Sequence, residues 1–221
     1  MFPALTDFRD VRRDPDINPG FDLGGTSHLA MNFTGASAAA GDTWITVYDA
    51  TPSNNTIQNT YGSILLDADV LIHSFNNKKG AGLLALFNEG LNQKGLALVI
   101  YDSGNSDTLV LGTMSQANGT FTPLTTVSLG ANITNNVWYH LTMNVVVSGG
   151  TVTLTGKVFR HATPTDPNSA LTTQVGGTLN FFGSLGVGTL TGVSSPGEVG
   201  DVAAGSAATV DSSVANFTID P

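Results

Sequence analysis

The chain of 221 residues has no cysteine, which excludes disulfides, thiol catalysis and metal sites with cysteine ligands. It has no run of about 18 apolar residues, the length that a membrane-spanning helix needs. Charged residues make up only 11% of the chain, against roughly 25% in typical soluble domains. Serine, threonine, asparagine and glycine supply the polarity instead. This composition favours strands and turns over helices.

Basic residues are scarce, since 8 lysines and arginines stand against 17 acidic residues and leave a net charge of −9. A surface of this sign repels nucleic acid and anionic membranes, so neither is an expected partner. The composition without cysteine fits a secreted or surface protein, and we predict an extracellular or cell-surface location. Met1-Phe2-Pro3 does not begin a signal peptide, so we expect export to depend on a signal that has been removed.

The strongest local pattern lies in residues 137–161, where two alternating runs flank Ser148-Gly149-Gly150. Alternation with a period of two is typical of half-buried strands, and glycine takes the backbone angles of a tight turn. We therefore predict a β-hairpin with one core face and one polar face. In the first arm the predicted core face carries Tyr139, Leu141, Met143, Val145 and Val147, and the polar face carries Trp138, His140, Thr142, Asn144 and Val146.

Similar short runs with glycine-, asparagine- and proline-rich joints continue along the chain. The candidate strands are 28–33, 43–48, 63–73, 82–87, 95–101, 108–114, 120–128, 138–147, 151–160, 171–175, 178–184 and 210–219. A rival helix over 81–99 would contain Gly82, Gly90 and Gly95, each costing about 0.5–1 kcal/mol relative to alanine. We predict an all-β fold, an antiparallel two-sheet β-sandwich of about twelve strands with little or no helix.

The segment 183–205 is rich in glycine, serine and alanine and is predicted to form long loops. Residues 1–26 mix aspartates, arginines and prolines and are predicted to form an irregular N-terminal arm. Residues 27–221 are predicted to form a single domain. Its predicted core contains Leu66, Ala68, Val70, Ile72, Leu96, Leu98, Ile100, Leu141, Met143, Val145, Val152, Leu154 and Val158.

Four stretches resemble a known family when they are taken in their order along the chain. They are Ser63 to Ile72 with its Ala-Asp-Val, Gly95 to Tyr101, Asn136-Val-Trp-Tyr-His with the hairpin that follows, and Val214-Ala-Asn-Phe-Thr-Ile. Together they resemble the concanavalin A-like lectin/glucanase superfamily, including laminin G-like jelly rolls. The family often has Val-Asp-Asn-Phe in its last strand, where this chain has Ala215 in place of the aspartate.

The resemblance implies a jelly roll over about residues 27–219, and it implies a choice among lectins, adhesion modules and enzymes acting on polysaccharide. The leading hypothesis is a non-catalytic extracellular module that binds glycan or another cell-surface component. A structural surface protein that associates with itself through its strand edges is the second hypothesis. A glycoside hydrolase or polysaccharide lyase is the third.

The polar face of the hairpin is the predicted ligand-binding surface. Trp138 offers a ring for stacking on a sugar, and His140 and Asn144 offer hydrogen bonds. In the predicted strand 63–73, Asp67 and Asp69 point to one side, and His73 lies further along that side. The sequence does not decide whether this second group shares a sheet face with the first.

Enzymatic alternatives have weaker support in the sequence. Hydrolysis of a glycoside needs two carboxylates across the bond, and the chain has only two glutamates, so Asp67 and Asp69 are the nearest match. The lyases of the family use a histidine and a tyrosine with neutralising groups. Residues of the types that such a lyase needs are His73, His140, Tyr101, Tyr139, Arg160 and Gln58.

A structural calcium ion is a further expectation, which the resemblance makes reasonable. Asp14, Asp16, Asn18 and Asp22 place oxygen ligands at alternate positions, as calcium loops do. This stretch lacks the glycine and the final glutamate of an EF-hand loop, and an aspartate-rich turn is the alternative.

Overall fold

The structure is a computed structural model. It describes residues 20–24, 28–36, 42–48, 63–72, 80–88, 94–102, 107–115, 120–130, 133–193, 198–206 and 209–220. Structural statements below refer to these residues.

Within these ranges the chain forms fourteen strands. They are β1 Gly20–Gly24, β2 His28–Ala36, β3 Asp42–Tyr48, β4 Ser63–Ile72, β5 Gly80–Asn88, β6 Lys94–Asp102, β7 Asp107–Ser115, β8 Thr120–Ser128, β9 Trp138–Ser148, β10 Thr151–His161, β11 Leu171–Gln174, β12 Leu179–Ser184, β13 Glu198–Ser206 and β14 Thr209–Asp220. One turn of 3-10 helix, Gly188–Leu190, is the helical element of the described part. None of the described helices is long and apolar enough to cross a membrane.

The strands form two antiparallel sheets, as the sequence predicted. The larger sheet, sheet A, has eight strands in the order β1-β2-β14-β4-β9-β10-β11, with β12 also pairing with β10. The smaller sheet, sheet B, has six strands in the order β3-β13-β5-β6-β7-β8. A core cluster with members in both sheets, such as Leu66, Leu98 and Leu141, lies between them.

The predicted hairpin forms two adjacent strands of sheet A, β9 and β10. Thr151 pairs with Ser148 across a two-residue turn, and Gly149 and Gly150 have φ angles of 56° and 78°. These positive angles match the right-handed twist of the two arms and favour glycine at both positions. Gly156 interrupts the apolar alternation of β10 because a Cβ atom there would lie 2.7 Å from the Leu98 side chain of sheet B.

The predicted core is confirmed residue by residue. All thirteen predicted side chains belong to the main cluster between the sheets, including Leu66, Leu98, Leu141 and Val158, each 0% exposed. Tyr139 takes the same face and is 1% exposed, with its hydroxyl accepting a hydrogen bond from the backbone N–H of Thr134 at 3.0 Å. The two faces of β9 are therefore assigned as the alternation predicted.

Two differences from the predicted elements concern the ends of the chain. The loops predicted over 183–205 contain the strand β13, which pairs with β3 on one side and β5 on the other. Its glycines and alanines have low strand propensity, so pairing with two neighbouring strands, rather than local preference, stabilises β13. The predicted irregular arm contains β1, which pairs with β2 from Gly20 to Gly24.

The packing predicts a large difference between two leucine truncations in neighbouring strands. Leu141→Ala removes a side chain that is 0% exposed and should lower the free energy of unfolding by about 2–5 kcal/mol. Leu65→Ala is the matched control, since Leu65 is 36% exposed on the opposite face of sheet A, and it should change that energy far less. Urea unfolding of both variants measures the difference. Equal losses would mean that the faces of these strands are misassigned.

Candidate functional site on the outer face of sheet A

The face of sheet A that points away from the core, here called the outer face, carries most of the predicted site residues. Strand register places its side chains in rows that run across the sheet. From one end to the other the rows are Phe182, Thr153 and Val146; Asn180, Thr155, Asn144 and Leu65; Lys157, Thr142 and Asp67; and Phe159, His140 and Asp69. Because cross-strand partners on one face are neighbours, each row is a contiguous strip.

One end of the outer face is open to solvent. Phe182 is 69% exposed and Val146 is 37% exposed, and Asn144 is exposed beside them. The Thr155 hydroxyl donates a hydrogen bond to Oδ1 of Asn180 at 3.3 Å. This end therefore combines an exposed aromatic ring with hydroxyl and amide groups on adjacent strands.

The other end of the outer face is buried and charged, and its centre is Asp69, which is 2% exposed. Oδ1 of Asp69 lies 3.0 Å from Nδ1 of His140 and 2.8 Å from Nε2 of His161. Oδ2 of Asp69 accepts a hydrogen bond from the amide of Asn216 at 2.7 Å. These residues, together with Asp67, are called the Asp69 cluster below.

A β-bulge in β14 brings Asn216 into this cluster. Ala215 pairs with Asp69 and Thr218 pairs with Asp67, so β14 has one extra residue between the two pairs. Asn216 has a φ angle of 52°, a left-handed conformation that asparagine tolerates better than most residues. The bulge therefore directs the Asn216 amide to the Asp69 carboxylate.

The loop between β10 and β11 covers the buried end of the outer face. Its Pro164 carbonyl accepts a hydrogen bond from the backbone N–H of Trp138 at 2.8 Å. Nδ1 of His161 lies 3.0 Å from the carbonyl oxygen of Ser169. The Asn216 amide also lies within hydrogen-bonding distance of the Pro167 carbonyl, at 3.2 Å. Contacts from three strands thus fix the loop over Asp69.

His140 is the ionisable group at the boundary between the open and buried ends. Burial lowers its pKa, but the hydrogen bonding and charge of Asp67 and Asp69 outweigh this effect and raise the pKa from 6.5 to about 9. Nε2 of His140 lies 3.7 Å from Oδ1 of Asp67, a side chain that is 18% exposed. The imidazole therefore carries a positive charge at neutral pH and joins the two carboxylates.

The cluster also has the composition of a metal site. Asp69, His140 and His161 each offer one ligand atom, and the three atoms lie within 4.8 Å of one another. Within the ranges that the structure describes, this is the group of histidine and acidic side chains that meets this spacing.

The structure brings together several predicted ligand residues. Asp67 and Asp69 share the outer face with His140, since Asp69 and His140 are direct cross-strand partners. Asn144 lies on the same face at its open end. Trp138 is also on this face, but it is 7% exposed and packs against Leu71 and Ala215. Its ring is therefore packed rather than available for stacking, which corrects the role expected from alternation alone.

Other predicted site residues are separated or lie outside the described residues. Tyr139 and His140 point to opposite faces of β9, so they do not form the histidine–tyrosine pair that a lyase needs. His73 and Gln58 lie outside the described residues, as do Asp14, Asp16 and Asn18. Asp22 lies in β1, but its side chain is not described. The calcium site stays a prediction.

Sequence reasoning missed three residues of this face: His161, Asn216 and Phe182. His161 lies one residue beyond the predicted end of β10 and continues its row of outer-face positions, so a prediction that extended the strand by one residue would have included it. Phe182 stands next to Phe181, and adjacent aromatics do not show which one faces the core. Asn216 depends on the bulge, which interrupts the alternation and leaves no periodic signal.

Comparison with known proteins gives a likeness in structure but none in sequence. No protein-family model matches the chain, and no curated protein matches its sequence significantly. A solved GH43 glycoside hydrolase, engineered for endo-xylanase and exo-arabinofuranosidase activity, is 14% identical with a TM-score of 0.50 over 99% of this chain. The chain spans 41% of the length of that hydrolase.

Two further solved structures resemble the chain over most of both lengths. A family 7 alginate lyase, A1-II′, is 10% identical with a TM-score of 0.46, covering 94% of this chain and 82% of its own. Lectin I from Ulex europaeus is 12% identical with a TM-score of 0.46, covering 92% of each chain. The fold is an antiparallel two-sheet β-sandwich. Identities this low bear on the fold alone and not on activity.

The raised pKa of His140 predicts how the stability of the jelly roll depends on pH. Because the folded-state pKa exceeds 6.5, the contribution of the His140 charge is fully present below about pH 6.5 and is lost as the pH rises through about 9. The difference in unfolding free energy between wild type and His140→Asn should therefore be larger at about pH 6 than at about pH 10. Urea titrations with a chelator present measure this difference.

An unchanged difference across that range would contradict the ion pairs of His140. A second measurement separates the two carboxylates, since Asp67→Asn should lower the pKa of His140 in an NMR titration while Asp69 keeps its contacts.

Proposed function

We propose that the protein is a non-catalytic carbohydrate-binding jelly-roll module that acts outside the cell or at its surface, and that its outer face of sheet A binds the glycan. The observation that carries this proposal is Phe182. Its side chain is 69% exposed in the middle of a strand, and the facing position on β10 is Thr153.

An exposed phenylalanine on a flat sheet suits a sugar ring. The apolar C–H face of a pyranose stacks on an aromatic face, and the hydroxyls at its rim need donors and acceptors nearby. Asn180, Thr155 and Asn144 form the next row across the strands and supply both. The stacking role expected of Trp138 therefore passes to Phe182, at the opposite end of the same face.

The geometry of Asp69 favours binding over hydrolysis. A glycoside hydrolase needs two carboxylates that reach the substrate. Both oxygens of Asp69 are engaged by histidines and Asn216, and the side chain is buried beneath the 162–170 loop. Of the two carboxylates, only Asp67 reaches the protein surface, with 18% of its side chain exposed.

The charge of the protein favours a neutral glycan. A net charge of −9 repels polyuronates and sulfated chains, which need basic groups for recognition. Lys157 is the lysine that faces Thr142 in the row next to Asp67. A single ammonium group in the same row as a carboxylate, with Thr142 between them, suits hydroxyl-rich ligands better than polyanions.

Loss of the exposed ring should weaken glycan binding without loss of stability. Phe182→Ala should weaken binding to a neutral polysaccharide by about tenfold or more, since stacking contributes about 1 kcal/mol beyond buried area. Val187→Ala is the matched control, because Val187 is 66% exposed and lies outside the outer face. A panel of immobilised neutral and acidic polysaccharides, with melting temperatures for each variant, provides the measurement.

The same panel separates the alternative functions. Equal binding by wild type and Phe182→Ala would remove the outer-face site. Release of sugar products from any polysaccharide would indicate an enzyme instead. Absence of glycan binding, with association that increases with protein concentration, would indicate a structural surface protein that binds itself.

A further inference from the structure

The contacts of His161 require a proton or a metal ion between its ring and Asp69. Nδ1 of His161 faces the carbonyl oxygen of Ser169 at 3.0 Å, and a carbonyl only accepts, so Nδ1 carries the hydrogen and donates. A neutral ring then has its lone pair on Nε2, which faces Oδ1 of Asp69 at 2.8 Å. Two acceptors at this distance repel each other unless a proton or a metal ion lies between them.

His140 repeats this arrangement from the other side. Its Nδ1 lies 3.0 Å from the same Oδ1 of Asp69, and its Nε2 faces Asp67 at 3.7 Å. In the neutral ring that metal binding requires, Nε2 carries the hydrogen toward Asp67 and the lone pair of Nδ1 points to Asp69. Each histidine therefore has an outer acceptor for one nitrogen and directs its other nitrogen to the same carboxylate oxygen.

We propose that Asp69, His140 and His161 bind a divalent transition-metal ion of the class of Zn²⁺ or Co²⁺. Two imidazole nitrogens and one carboxylate oxygen suit these ions, whereas Ca²⁺ and Mg²⁺ prefer oxygen ligands alone. This site is distinct from the calcium site predicted in the N-terminal part of the chain. Metal binding at this site needs no glycan, so the test of this proposal is independent of the proposed function.

The spacing of the ligand atoms fits such an ion. With metal–ligand bonds of about 2.1 Å, neighbouring ligand atoms lie about 3.0 Å apart at right angles and about 3.4 Å apart at tetrahedral angles. The nitrogens of His161 and His140 lie 2.8 and 3.0 Å from Oδ1 of Asp69. For these two nitrogen–oxygen distances an outward movement of a few tenths of an ångström gives right angles, and the three ligand atoms lie within 4.8 Å of one another.

The surrounding groups have the roles that support metal ligands in proteins. A ligating histidine usually donates its second N–H to a carbonyl or a carboxylate, and a ligating carboxylate is itself hydrogen-bonded. Ser169 and Asp67 provide the two acceptors, and the Asn216 amide holds Oδ2 of Asp69 at 2.7 Å. The carboxylates of Asp67 and Asp69 also balance the charge of a divalent ion at a half-buried site.

Three protein ligands leave at least one coordination position for water or another ligand. The His161 side chain is 2% exposed and that of Asp69 is 3% exposed, while His140 has 18% of its side chain exposed. The open position therefore lies on the His140 side of the site, toward the rows of the outer face that carry Asp67 and Thr142.

Calorimetric titration of the untagged, chelator-treated protein with Zn²⁺ alone tests the site. We expect one ion per chain, a rise in melting temperature, and visible absorption when Co²⁺ replaces Zn²⁺. His161→Gln and Asp69→Asn should each weaken Zn²⁺ binding by about 100-fold or more. Asp67→Asn removes only an outer partner and should weaken it by about 10–100-fold. Asp107→Asn is the control, because Asp107 lies in β7 of sheet B, and this variant should bind as wild type does.

Absence of Zn²⁺ binding to wild type would overturn the proposal and leave a proton between His161 and Asp69. Unchanged affinity in Asp69→Asn and Asp67→Asn, or loss of binding in the control variant, would also overturn it. If His161→Gln fails to fold, Asp67→Asn and His140→Gln decide the result, because these two side chains lie nearer the surface. Glycan binding is measured separately, so the two proposals fail independently.

Discussion

The arrangement of sheet A around its functional face depends on the need to satisfy one buried carboxylate. Asp69 stands between Ala68 and Val70 in β4, and 2% exposure removes it from water. A buried charge without partners is so costly that its surroundings must supply them. They come from β9, from the end of β10 and from the bulge of β14, and the loop between β10 and β11 closes over them. Strand order, strand length, bulge and loop are all needed to satisfy this group.

The outer face changes in character along the strands. At one end Asp69 and Trp138 are covered, and at the other Phe182 and Asn144 meet solvent. A charged, covered end is rigid and suits an ion, whereas an open row of an aromatic ring and amides suits a ligand with both apolar and hydroxyl groups. His140 lies between the two ends, so the ion and the glycan proposals concern neighbouring parts of one sheet. Neither depends on the other, because the ligand atoms and the stacking ring belong to different rows.

The jelly roll explains why this face is available for binding. Sheet B covers only the inner face of sheet A, where Leu98 approaches Gly156 closely enough to exclude a side chain. The open end of the outer face is therefore free to vary in side chains without disturbing the core. A fold does not fix an activity, so the site rather than the fold must carry the functional argument.

The sequence by itself determined the features that follow from local alternation of apolar and polar residues. The period of two assigned Leu141 and Met143 to the core and His140 and Asn144 to the opposite face, and two glycines marked the hairpin turn. Strand order and register are decided by contacts between distant segments. Only the tertiary structure could therefore show that Asp69 pairs with His140 and that β13 lies between β3 and β5 in sheet B. Burial is likewise a property of what packs on top. Trp138 and Phe182 both occupy outer positions, and the 162–170 loop and the neighbouring strands decide that one ring is packed and the other is exposed. Asn216 and His161 join Asp69 through a bulge and through the last residue of a strand, two features that periodicity does not encode because each lies where the alternation stops.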